Sequence, residues 1–144
     1  MALQSEELFG SAVTQKSLKR AKPHADGISV GTFAALGADA EVPHLTPLYF
    51  DLTLNGGKGF WTIWSGNGGG ADDPINGLLW APGSVGHLGL AAGETQIQVF
   101  KAGLVHRDDV PLPAGEAQAG LDTALRAGAL REQGIIVQGL DAVA

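Results

Sequence analysis

The sequence predicts a small, mainly β protein with one helix, an α+β fold, and three observations predict it. Glycine and proline are abundant, 22 and 7 of 144 residues, and only 17% of residues are charged, which is a composition of turns and short strands. Residues 95–99 alternate Thr95, Ile97 and Val99 with Gln96 and Gln98, the period of two of a half-buried strand. Only residues 116–132 carry a sustained helical period.

Residues 1–27 read as a flexible N-terminal arm. Leu3, Leu8, Phe9, Val13 and Leu18 are scattered among Ser, Gln, Lys and Glu without a period, so the arm has no core of its own. The folded domain is expected over 28–144. Its first strand spans 28–36, with Ile28, Val30 and Thr32 on one face and Gly31 weakening it. Residues 37–43 read as a loop. Residues 46–54 open with Pro47, which suits a strand start or a sheet edge. The turn Asn55-Gly56-Gly57 leads to a strand over 60–64 with Phe60, Thr62 and Trp64 on one face and Trp61 and Ile63 on the other. Aromatics on both faces call for cover on both sides, either from the chain's own core or from a neighbouring subunit.

Residues 65–73 are glycine-rich. Gly66 to Ala71 formally matches a dinucleotide-binding pattern, but Asp72-Asp73-Pro74 follows where a helix amino terminus should hold the pyrophosphate. Residues 75–90 are apolar and broken by Pro82, Gly83, Gly86 and Gly89 into short bent segments. The strand over 95–99 meets Lys101-Ala102-Gly103, read as a three-residue hairpin loop closed by Gly103, and returns as Leu104 to His106. Arg107-Asp108-Asp109 is then a charged turn before Pro111 and Pro113. In the helix, Ala117, Leu121, Ala124, Leu125 and Gly128 recur at three- and four-residue spacing. Glu116 and Asp122 lie early and Arg126 and Arg131 late, the order the helix dipole favours, and Gly134 is a stop. A closing strand begins at Ile135.

Composition narrows the function. The chain has no cysteine, so it holds no disulfide, thiol nucleophile or thiolate metal site, which fits manufacture in a reducing cytoplasm. No apolar run approaches a membrane span, and no signal core opens the chain. The net charge of −6 divides into +2 over residues 1–25 and −8 over the rest, a body too acidic for phosphate contact, so neither nucleic acid nor membrane is an expected partner. His24, His44, His87 and His106 show no metal-pair spacing, and no metal or other cofactor is expected.

Three segments bring a family into view. The run from Val99 to Val110, with Phe100-Lys101-Ala102-Gly103-Leu104-Val105-His106-Arg107-Asp108-Asp109 between, resembles the hairpin of the phage lambda type of head decoration protein. Leu45-Thr46-Pro47-Leu48-Tyr49-Phe50-Asp51 resembles that family's entry to its folded body, and Ile75-Asn76-Gly77-Leu78-Leu79-Trp80-Ala81 its central strand. They occur in the family's order, and the resemblance covers about residues 44–140. It implies a β-clip type of domain and a homotrimer on the outer surface of the virion. The trimer would sit at three-fold sites of the expanded head, cementing the major capsid protein against internal DNA pressure.

The same resemblance makes Val13, Thr14, Gln15, Lys16, Ser17, Leu18 and Lys19 the candidate capsid-binding arm, which would add a strand to the capsid protein. Ordering about ten arm residues costs on the order of 10–20 kcal/mol of backbone entropy, so one arm binds weakly. Three arms on one trimer raise each other's effective concentration. Pro47, Trp61, Trp64 and Trp80 are the trimer-interface candidates. No catalysis is implied. Two other classes compete: a carbohydrate-binding module stacking sugars on Trp61 or Trp64, and a small hydrolase or isomerase using His106 with Asp108 or Asp109.

Overall fold

A computed structural model describes residues 21–66, 74–84, 87–126 and 128–140. The candidate arm residues 13–19, the glycine-rich run 67–73, residues 85–86, Ala127 and residues 141–144 lie outside the described residues. Ten strands are described: β1 (Lys22–Pro23), β2 (Ile28–Leu36), β3 (Ala40–Pro43), β4 (Pro47–Asp51), β5 (Phe60–Ile63), β6 (Gly77–Leu79), β7 (His87–Leu90), β8 (Gly93–Phe100), β9 (Gly103–His106) and β10 (Ile135–Gln138). Two short helices, α1 (Gln118–Arg126) and α2 (Gly128–Gln133), fill the span expected to be helical. The molecule is a small α+β protein dominated by strands, as its composition and periods predict.

Five strands close into a barrel in the order β2-β5-β4-β6-β8. The closure between β2 and β5 is a single parallel pairing, Phe33 with Trp61, whereas β2 and β8 pair antiparallel from Ile28–Phe100 to Phe33–Thr95. A second sheet, β1-β9-β10, and a two-stranded ribbon, β3-β7, complete the β structure.

The barrel interior holds Phe33, Leu48, Trp61, Leu79, Ile97 and Val99, all at most 6% exposed. A five-stranded barrel is narrow, so a tryptophan inside it needs small neighbours. A Cβ on Gly31 would run into the Trp61 indole, and one on Gly77 would come within 2.5 Å of a Val99 methyl. A second core lies between the barrel and the helices, built from Leu45, Trp64, Leu78, Phe100, Leu121 and Leu125 among others. Strands β6 and β8 serve both: Leu79 and Val99 face the barrel while Leu78 and Phe100 face the helical side. This explains the unbroken apolar run at Leu78-Leu79 and the change of pattern at Phe100, because a strand buried on both faces loses its alternation.

Three expectations need correction. Residues 94–110 do not form a hairpin: β8 pairs with β2 and β6, and β9 pairs with β1 and β10. The barrel occupies both edges of β8, so no edge is left for β9, and Lys101-Ala102 carries the chain from one sheet to the other. Residues 40–43, read as loop, form β3 and pair with β7 from Ala40–Leu90 to Pro43–His87. In β2 the alternation stands as expected, with Gly31 and Phe33 pointing inward and Val30 67% exposed, and the missing Cβ at Gly31 is what the barrel uses. The expected cover on both faces of β5 is incomplete, since Ile63 is 38% exposed while Trp64, one residue past the strand, turns into the second core.

The corner between β3 and β4 is tightly held. Leu45 is fully buried with φ 68°, a left-handed backbone that costs about 1–2 kcal/mol for a residue with a side chain. Its N–H donates to the Leu79 carbonyl at 2.7 Å, the Thr46 hydroxyl donates to the Pro43 carbonyl at 2.7 Å, and buried His44 accepts the Ala81 N–H on Nδ1 at 2.9 Å. Because Nδ1 is an acceptor here, the imidazole carries its proton on Nε2.

Candidate functional site

The described part of the candidate arm is its root, where residues 21–27 join the body. Although the sequence assigns this span to the arm, it is fastened to the junction between β8 and β9. Lys22 pairs with Leu104 and Pro23 with Gly103. The His24 N–H donates to the Ala102 carbonyl at 3.0 Å, and the Gly27 carbonyl accepts from both Lys101 N–H (2.6 Å) and Ala102 N–H (3.3 Å). Ala21 packs on the second core. β1 runs antiparallel to β9.

Two glycines make this junction possible. A Cβ on Gly27 would collide with the Ala102 carbonyl oxygen, and Gly103, with φ 142°, lies against Lys22 and Pro23 so closely that a Cβ there would meet both backbones. Gly103 is legible in the sequence as a turn residue, but its role is the close approach of β1. Gly27 carries no local signal, because its partner is 75 residues away. Gly27→Ala is therefore expected to speed amide hydrogen exchange at His24 and Gly27 by about tenfold, the loss of one to two hydrogen bonds, while exchange at Ile97 stays unchanged. Equal exchange in the two proteins would show that the root is not held this way.

The four trimer-interface candidates separate. Pro47 is buried at the start of β4, Trp61 is 6% exposed inside the barrel and Trp64 is 2% exposed in the second core, so their own chain covers these three. Trp80 is half-buried, stacked on Phe100 at 5.8 Å between ring centroids and edge-on to His44 at 4.9 Å. It alone of the four keeps a substantial surface. Neither Trp61 nor Trp64 presents the open ring face that sugar stacking requires.

His106 and the acids after it make a cap. The His106 Nδ1 accepts the Asp108 backbone N–H at 3.1 Å and closes the 3-10 turn Arg107–Asp109. The Asp108 Oδ2 lies 3.7 Å from the same nitrogen. A carboxylate that orients a catalytic histidine instead accepts a hydrogen bond from its ring N–H. The ring rests against Gly139, where a Cβ would come within 2.7 Å of it. Among the described residues no group of three or more His, Asp or Glu side chains is arranged to hold a metal ion, and no helix is long and apolar enough to cross a membrane.

The sequence also missed an ion pair beside this cap. Arg107 donates to Asp122 from Nε at 2.8 Å and from Nη2 at 2.9 Å, and Gln118 donates to the same carboxylate at 3.0 Å. Asp122 is 3% exposed, and these hydrogen bonds, Arg107's first, hold its carboxyl below the usual carboxylate range. Arg107 is correspondingly held further up by Asp122 and then Asp108. The pair ties α1 to the end of β9.

No family model matches the chain, and no curated protein matches it.

Proposed function

We propose that this protein is a viral head decoration protein: a homotrimer at three-fold sites of an expanded capsid, gripping the major capsid protein through an amino-terminal arm. One observation carries the reading. The three segments that resemble the family meet in the barrel: they contain β4, β6 and the last two residues of β8, where β4 pairs with β6 at Pro47–Leu78 and Leu48–Gly77, and β6 pairs with β8 at Leu78–Phe100 and Leu79–Val99, while the rest of the third segment continues into β9 of the other sheet. Three segments spread over 66 residues of sequence thus come into contact at one place in the barrel. The family's β-clip organisation of the domain belongs to the same proposal.

The rooted arm supports the mechanism. An arm that grips another protein transmits force only if its base is fixed, and here the β1–β9 pairing and the backbone hydrogen bonds of His24 and Gly27 to Lys101 and Ala102 fix it. Removing residues 1–19, which leaves Ala21 and β1 in place, is expected to leave the thermal melt unchanged and to abolish binding to expanded DNA-free heads of a lambda-type phage, read by co-sedimentation. Intact chain that fails to co-sediment with any such head, or that runs as a monomer by light scattering, would overturn the proposal.

A further inference from the structure

The barrel is closed along only part of its length. Strands β2 and β5 meet at Phe33 and Trp61, and below that point the β2 edge from Ser29 to Gly31 has no strand beside it among the described residues. A cleft of about 660 Å³ occupies the gap. Phe50, Gly59 and Trp61 form its far wall, and Asn55, Asn76 and Gln133 offer amides around it. No carboxylate lines it.

Two donors face this cleft without an acceptor. Trp61 is more than nine-tenths buried, yet among the described residues its indole N–H takes part in no hydrogen bond. No fully buried polar side-chain atom among the described residues lacks a partner, so this N–H is one that the cleft exposes. The indole lies directly over Gly31, on the open edge of β2. The second donor is Lys101, whose Nζ stands 6.0 Å from the Trp61 ring centroid and makes no ion pair among the described residues. An unpaired strand edge, an apolar wall, an unused indole donor and a lone ammonium together describe a receptor for an extended peptide bearing a carboxylate beside a large apolar residue.

Outside the described residues, Asp141 follows Leu140 as a single acid, and one segment sets paired acids beside two large apolar residues. Ser5-Glu6-Glu7-Leu8-Phe9 sets two carboxylates next to leucine and phenylalanine, whereas Asp72 and Asp73 are flanked by alanine and proline. Reach is sufficient: the twelve residues from Phe9 to Ala21 span up to about 40 Å extended, against a radius of gyration of about 15 Å for a domain of this length. We propose that the open half of the β2–β5 seam receives the chain's own Ser5 to Phe9 segment as an added strand, with a glutamate at Lys101, a backbone carbonyl on the Trp61 indole and Phe9 against Phe50. The arm then has two grips, its acidic tip on the barrel and its basic portion near Lys16 and Lys19 free for another protein. This inference does not rest on the decoration reading.

The test needs no capsid. In the full chain the Trp61 indole N–H should exchange at least about tenfold more slowly than in a variant lacking residues 1–12, the protection expected when the site is about nine-tenths occupied. That variant keeps every described residue, and an unchanged thermal melt verifies its fold. Adding a synthetic peptide of residues 2–12 should restore slow exchange. The same peptide with Glu6→Gln and Glu7→Gln should not, nor should the native peptide added to a Lys101→Ala version of the shortened chain. Equal exchange with and without residues 1–12 would overturn the proposal, and so would restoration by the glutamine peptide.

Discussion

Replacing Trp61 by alanine is expected to cost about 3–5 kcal/mol, the range for emptying a buried tryptophan site, read from urea unfolding. The ring is the largest side chain within the barrel, and the single pairing that closes β2 onto β5 runs through its own residue. The effect should be coupled to Gly31. In the native chain Gly31→Ala drives a methyl into the indole and should destabilise by about 1–3 kcal/mol. In the Trp61→Ala background the methyl enters empty space, and the backbone there is not left-handed. The same substitution should then be neutral or stabilising by about 0.5 kcal/mol through the unfolded state. Additive effects would show that the two positions do not share one space.

The second large effect is expected at Asp122. Asp122→Ala leaves Arg107 and Gln118 without their common acceptor and should cost about 2–3 kcal/mol at neutral pH, the scale of hydrogen bonds to a charged group. The sign with pH follows from the direction of the shift. The folded-state carboxyl lies below its ordinary value, so its contribution is complete above the unfolded-state value and is lost as pH falls through the folded one. The stability gap between native chain and variant should therefore be constant near neutrality and shrink below about pH 4. Asp51, also held low by the hydroxyl and then the N–H of Thr53, titrates in the same direction but is common to both proteins and leaves the gap untouched. A gap that widens on acidification would contradict the ion pair.

Much of the fold is legible in the sequence where physics is local. The alternation at 95–99, the apolar pair Leu78-Leu79, the broken segments after Pro82 and the helical period after Glu116 each report the surroundings of a few residues. What failed depended on partners far along the chain. The hairpin was misread because two good strands with a glycine turn between them normally pair, and only the occupied edges of β8 prevent it. Gly31 was read as a weak point of a strand when it is the space for a tryptophan 30 residues later. The arm root was invisible for a like reason: Gly27 and Ala102 meet only after both sheets exist. The cleft draws its walls from β2, β4, β5 and the junction after β8, so no window of sequence contains it.

The double allegiance of β6 and β8 sets how the molecule can fail. Leu78 and Leu79, like Val99 and Phe100, are neighbours in the chain but point into different interiors. Heat or acid that loosens the helical layer withdraws support from the same two strands that the barrel depends on, so neither half survives the other. A part meant to withstand sustained mechanical load benefits from that arrangement: it has no soft half to yield first and lets go only all at once.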